Sequence, residues 1–312
     1  MSSLLRERRH GHEAKVSNAE LFFDLVYVFA VTQLSHKLLE HLSPLGALQT
    51  LLLWFAVWLG WQYTCWVTNW FDPEKLQIRL LLFALMLLAL PFAAAIPEAF
   101  GERALLFAGC YVAMQVGRSL FVLGCLGRGH ALAPNFQRIL GWTVISGLFW
   151  ITGALREDLR LALWAIAVIC EYVSPMFGFP LPGLGRSSTR DWTIEGGHLA
   201  ERCQLFVIVA LGESILVTGA TLSQAADWHG DTALAFGIAF AISLVLWWIY
   251  FDTSSRDASH RIAHADDPGR MGALFHYLHV LIVGSVIVVA VGCELLMAHP
   301  HEHVGATHVA AT

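Results

Sequence analysis

Long apolar runs separated by short polar segments make up almost the whole chain. A helix crosses roughly 30 Å of hydrocarbon with about 20 residues. Runs of that order recur at about 19 to 36, 45 to 68, 77 to 97, 103 to 125, 136 to 155, 159 to 180, 198 to 222, 232 to 251 and 271 to 297. Nine such runs leave no room for a sizeable soluble domain. The pattern therefore predicts an all-α, polytopic transmembrane bundle (19–297), preceded by a basic segment (1–18) and followed by a polar, histidine-containing one (298–312).

The first run breaks the apolar pattern from within. Glu20 and Asp24 are four residues apart and share a helix face, and Tyr27, Val31 and Ser35 continue the same stripe. A carboxylate inside a membrane span is expensive unless it faces protein or a wet cavity, so Asp24 needs a partner, a proton or an ion.

Composition agrees with the span pattern. The 312 residues are 56% hydrophobic and 14% charged, with a mean hydropathy of +0.59, too apolar for a hydrated surface. The net charge of −5 says less than where the charges lie. With the N-terminus inside, thirteen Lys and Arg residues fall on the cytoplasmic side, including Arg6, Lys15, Arg79, Arg138 and Arg270. Four fall on the other side: Lys37, Arg103, Arg156 and Arg160. That asymmetry is the expected one for a cytoplasmic N-terminus in a bacterial inner membrane. The basic start has no cleavage site after it and is not a removable leader. Cys65, Cys110, Cys125, Cys170, Cys203 and Cys293 stand singly and read as packing residues. Twelve tryptophans, Trp54, Trp58, Trp61, Trp66 and Trp70 among them, read as an interfacial belt at span ends.

Two sets of features extend the picture. Glu20 with Val26 and Val28 is echoed by Glu201 with Val207 and Val209; Trp61 and Asp72 by Trp247 and Asp252; and Asp72-Pro73 by Asp267-Pro268. Their common order suggests a parallel repeat of spans 1–3 and 7–9, as in several transporter folds. The chain stops after an odd number of spans, which suggests truncation of a longer protein. Its last segment carries His299, His301, Glu302, His303 and His308, read as a solvated loop.

The seventh run is the second centre of charge. His198 and Glu201 share a face near its start, and Arg202 and Glu213, eleven residues apart, return to nearly one face about 16 Å apart along the axis. They cannot pair with each other, so each needs a partner on another helix. Arg118, in a stripe with Tyr111 and Gln115, is the natural counter-charge, and a pairing of Arg118 or Arg202 with Asp24 or Glu213 is expected. Glu171 precedes Pro175 and either lines a cavity at a broken helix or marks the end of its span. His276 and His279 are satisfied core residues or, with Glu294, proton or metal groups. There is no Walker loop, GxGxxG turn, HExxH or GxSxG motif and no basic face for nucleic acid, and the sequence names no cofactor.

Three motifs in this order, ELFFDLVYVFA at 20–30, HLAER at 198–202 with LGES at 211–214, and WIYFD at 248–252, resemble the bacterial low temperature requirement protein A family. The resemblance spans about residues 16 to 300. It implies a multi-pass inner-membrane protein associated by name with growth in the cold, whose members usually continue beyond this chain's last residue. It implies no substrate. From the residues themselves, the expectation is a transporter or channel-like protein that moves protons or a small ion or solute through the bilayer. Its polar interior would hold Glu20, Asp24, Tyr27, Arg118, Glu201, Arg202 and Glu213, with His198, Glu171, Asp252, His276 and His279 as secondary candidates. A membrane-embedded enzyme or redox protein acting on lipid or quinone, and a cold-related sensor or structural protein, are the rival classes. Homo-oligomerisation is open.

Overall fold

Helix starts and stops in this chain are set by local chemistry at the polar breaks. The computed structural model describes residues 4–6, 15–127, 129–188, 194–224, 230–254 and 265–298. Arg8 and Arg9, and the histidine segment from His299 to His308, lie outside them. Nine long helices are present among the described residues: α1 (Asn18–Glu40), α2 (Pro44–Trp70), α3 (Leu76–Ala94), α4 (Ala104–Leu126), α5 (Ala133–Leu155), α6 (Arg160–Met176), α7 (Gly196–Gln224), α8 (Gly230–Trp248) and α9 (Pro268–Ala298). A π-helical stretch, Ile249–Ser254, prolongs α8. Eight of the nine are long and apolar enough to cross a membrane. The other is α1, whose 23 residues carry Glu20, Asp24, Lys37 and Glu40.

Glu20 begins α1 in a capping box. Its amide donates to Ser17 Oγ, and its carboxylate accepts from the Ser17 amide at 2.9 Å. Ser43 caps α2, with Pro44 in the first turn. Pro175 falls in the last turn of α6, which ends at Met176, four residues short of the apolar run.

α2 is the axis of the bundle. Of its apolar window 61% is buried, against 22% for the peripheral α8, and it packs on α1, α4, α6, α7 and α9. On one side α3, α4, α5 and α6 follow each other in sequence and in space, while α7 packs on α9 and α8 on the other. α1 joins the two groups through α3, α7 and α9. The outer faces carry exposed Leu80, Leu87, Leu148, Leu216 and Leu281, a surface suited to lipid and not to water.

The tryptophans of α2 correct the interfacial reading. Trp54, Trp58, Trp61, Trp66 and Trp70 are all buried, because they lie on the faces of the one helix that is surrounded by others. Trp58 meets Phe206 of α7 edge-on and Trp61 meets it at a tilt, and Trp54 Nε1 donates to the Val280 carbonyl of α9 at 3.0 Å. The six cysteines are free thiols.

Candidate functional site

The two carboxylates of α1 converge on one arginine of α7. Glu20 and Asp24 are four positions apart, as are His198 and Arg202, so each helix presents its pair one turn apart on a single face. Arg202 Nη1 donates to Glu20 Oε1 at 3.0 Å and Nη2 to Asp24 Oδ1 at 2.6 Å. His198 Nε2 lies 2.9 Å from the same Glu20 oxygen. All four side chains are at most 2% exposed. α2 closes the site: Trp61 Nε1 donates to Asp24 Oδ1 at 2.7 Å, Thr68 Oγ1 accepts from Arg202, and Asn69 holds His198 Nδ1. The Trp61 ring also lies 5.7 Å from the Arg202 guanidinium, a cation–π distance.

The two carboxylates are treated unequally. Glu20 receives the Ser17 amide and hydroxyl as well as Arg202 and His198, with Arg6 a further 3.6 Å away. Asp24 takes both of its donors on Oδ1, and Oδ2 is buried with no hydrogen-bond partner. Arg202 Nε is buried without a partner as well. Glu20 is therefore anchored, while Asp24 has one oxygen in need of a proton, an ion or a polar ligand.

The second arginine sits further along α2. Arg118 of α4 donates to Thr64 Oγ1 at 3.0 Å and to the Gly60 carbonyl at 3.4 Å, and it is bonded to Gln115. Gln115 in turn donates to Tyr111 Oη at 3.1 Å, and Tyr111 donates to Glu171 of α6. Trp150 of α5 donates to the other Glu171 oxygen at 3.1 Å. Gly60, Thr64 and Thr68 are spaced by four on α2, so one helix face carries Arg118 and Arg202 about 6 Å apart along the axis. A polar seam thus runs from Glu20 through Arg202, Thr68, Thr64, Arg118, Gln115 and Tyr111 to Glu171. Tyr27 faces it: a Cβ added at Gly60 would lie 3.1 Å from the Tyr27 hydroxyl, which is buried and unpartnered.

Several sequence expectations separate here. Arg202 pairs with Asp24, one of the pairings left open. Arg118 makes no ion pair with either Asp24 or Glu213: its hydrogen bonds go to the neutral oxygens of Gly60, Thr64 and Gln115, with α2 standing between α4 and Asp24, and Glu213 lying far along α7. Glu201 is half-buried and makes no ion pair in the cluster; it accepts from the Val16 amide at 3.1 Å, fastening the segment before α1. Glu213 is buried far along α7 with one oxygen unpartnered, and its neighbours are Thr32 and His36 of α1 and Glu294 of α9. Asp252 is exposed within the π-helical stretch.

His276 Nδ1 lies 3.0 Å from the Gly272 carbonyl, with its ring against Trp61 and Trp66. His279 contacts the Phe275 carbonyl and Tyr250 Oη. Glu294 is not with them, and among the described residues no three His, Cys, Asp or Glu side chains are placed to share a metal ion. Sequence reasoning missed Trp61, Thr64, Thr68 and Asn69. Their one signal is the four-residue spacing of Gly60, Thr64 and Thr68 within an otherwise aromatic helix.

Comparisons with known proteins agree on the family. The family model of bacterial low temperature requirement A protein (LtrA) matches residues 15–312. The Rhizobium meliloti (strain 1021) protein RA0937, itself uncharacterized, is 42% identical over 298 residues, covering 95% of this chain and 73% of that protein. No solved structure matches the chain. With nine long helices, an apolar outer face and a match over nearly its whole length, the chain belongs to the bacterial low temperature requirement A family of multi-pass membrane proteins.

Proposed function

We propose that the chain is a proton-coupled transporter of a small ion or solute, with Asp24 as the coupling carboxylate and Arg202 as the group that reads its charge. The observation that supports this most directly is the bare Asp24 Oδ2 beside a fully buried arginine. With Asp24 ionised, Arg202 is held by both carboxylates and fastens α7 to α1 at two points one turn apart. A proton on Oδ2 cancels the Asp24 charge and weakens the 2.6 Å contact. The Glu20 contact remains, secured by the capping box. Protonation thus changes how α7 is tied to α1 without dissolving the bundle, which is what coupling requires. The distribution of Lys and Arg supports a cytoplasmic start for α1 in the inner membrane, and the family's name, low temperature requirement, points to growth in the cold as the physiological setting.

The test is solute and proton flux into proteoliposomes holding the parent chain, Asp24→Asn or Glu213→Gln. The expected result is full membrane accumulation of Asp24→Asn with loss of proton-coupled flux. Retention of coupled flux by Asp24→Asn would refute the assignment, and failure of that variant to accumulate would make Asp24 a structural group.

A further inference from the structure

Between α2, α4, α5, α6 and α9 lies a cavity of about 390 Å³, within the range of small-molecule sites. Its walls are mostly apolar and carry six aromatic side chains, Tyr63, Trp66, Trp70, Phe136, Phe179 and Tyr277. Among the described residues, two arginines and no acidic residue line it: Arg118 in the wall and Arg270 at the exposed rim. Arg118 is 2% exposed and sits 5.3 Å from the Tyr63 ring centre.

The contrast between the two intramembrane arginines carries the argument. Arg202 has two carboxylates in contact. Arg118 has none within ion-pair distance among the described residues, and its donors are met by the neutral oxygens of Gln115, Thr64 and Gly60. The nearest relayed negative charge is Glu171, reached only through Gln115 and Tyr111, and it does not line the cavity. A guanidinium cannot shed its charge, and a desolvated cation without a direct counter-ion is costly. A second, independent group faces the same space: Gln62 lines the cavity, is 7% exposed, and has its amide oxygen buried without a partner. An unneutralised guanidinium suits a carboxylate, and the Gln62 amide on the same cavity, turned so that its NH2 takes the place of the unpartnered oxygen, donates to that carboxylate while the aromatic side chains take an apolar body.

We propose that this cavity binds a small organic monoanion, a carboxylate on an aromatic or branched apolar body, with Arg118 as its counter-charge and Gln62 as its second polar contact. The 3.4 Å contact of Arg118 with the Gly60 carbonyl is its longest and the one an incoming carboxylate replaces. Gly60 and Thr64 belong to the same α2 face as Thr68, so ligand charge arrives one helical turn from the Asp24–Arg202 site. As the substrate site of the transporter this inference rests on that reading. As a binding site it stands alone, and binding without a gradient separates the two.

The experiment is titration of the detergent-purified chain with phenylacetate and 4-methylpentanoate against their neutral amides, followed by calorimetry and by tryptophan fluorescence. The carboxylates bind more tightly than the amides by about tenfold to a hundredfold. Arg118→Gln abolishes that preference, while Ala273→Leu, which fills the cavity and leaves Arg118 in place, weakens both. Glu171→Gln, which removes the relayed negative charge, strengthens carboxylate binding. Equal affinity for acid and amide would overturn the proposal, as would binding indifferent to Arg118→Gln and Ala273→Leu. A copurifying phospholipid that neither carboxylate displaces would overturn it in favour of a lipid site. Carboxylate binding by a protein that shows no flux would uphold the site and refute the transporter reading.

Discussion

Replacing Arg202 with methionine tests whether the α1–α7 contact is the ion-paired junction described above. The substitution keeps much of the side chain's length and removes donors to Glu20 at 3.0 Å and Asp24 at 2.6 Å. Both carboxylates stay buried, at 0% and 2% exposure. Removing one partner of a buried ion pair costs about 3–5 kcal/mol, because the other charge is left uncompensated. The loss is uneven. Glu20 keeps Ser17, His198 and Arg6, whereas Asp24 keeps only Trp61. Most of the penalty therefore falls on Asp24, and adding Asp24→Asn to Arg202→Met should recover about 2 kcal/mol or more as a coupling energy. Adding Glu20→Gln should recover less. The assay is thermal unfolding in detergent at a fixed scan rate, read by the intrinsic fluorescence of the twelve tryptophans. At about 2–4 °C per kcal/mol for domains of somewhat smaller size, Arg202→Met should lower the midpoint by roughly 6–20 °C, and the double variant should regain a large part of that. A single variant that melts with the parent, or two substitutions whose effects simply add, would refute the reasoning.

Three further outcomes follow from the same geometry. Trp61→Phe keeps the ring against Phe206 and removes the 2.7 Å donor to Asp24, a charge-assisted hydrogen bond worth about 1.5–3 kcal/mol; the same melting assay should register the loss, and an unchanged midpoint would show the contact to be idle. Gly60→Ala places a methyl 3.1 Å from the Tyr27 hydroxyl and should destabilise by about 1–3 kcal/mol through overpacking; a variant as stable as the parent would mean that α1 shifts away freely. Arg202→Lys keeps the charge but not the fork that spans two carboxylates, so it should recover less than half of the stability lost in Arg202→Met; full recovery would reduce the site to a simple charge requirement.

The helices were legible because bilayer thickness fixes how long an apolar run must be. The expected run at 45 to 68 is the helix Pro44–Trp70, and that at 198 to 222 is Gly196–Gln224. The sixth apolar run continues to 180 but its helix ends at Met176, because Pro175 stops the helix while apolar side chains continue past it. The charges of the site were legible too: Glu20, Asp24, Arg202 and His198 stand out in spans where lipid tolerates few such groups. Which arginine meets which carboxylate was not. That depends on which helices are neighbours, and α2, lying between α4 and α1, keeps Arg118 from Asp24. Trp61 escaped for a different reason. An indole in an apolar run looks the same in sequence whether it anchors at the membrane interface or donates inward, and only the packing of other helices around this part of α2 decides. Thr64 and Thr68 are neutral and small, and gain their role from the arginines opposite.

The claim at the centre of the account is that Asp24 takes up and releases the coupling proton. Infrared difference spectroscopy of the reconstituted chain across a pH step reads this directly, since a protonated carboxyl has a carbonyl stretch that a carboxylate lacks. The account predicts a band that appears and disappears with pH in the parent, is missing in Asp24→Asn, and persists in Glu213→Gln. A spectrum unchanged by Asp24→Asn would contradict it and leave the Glu20–Asp24–Arg202 cluster as a fixed structural clasp between α1 and α7.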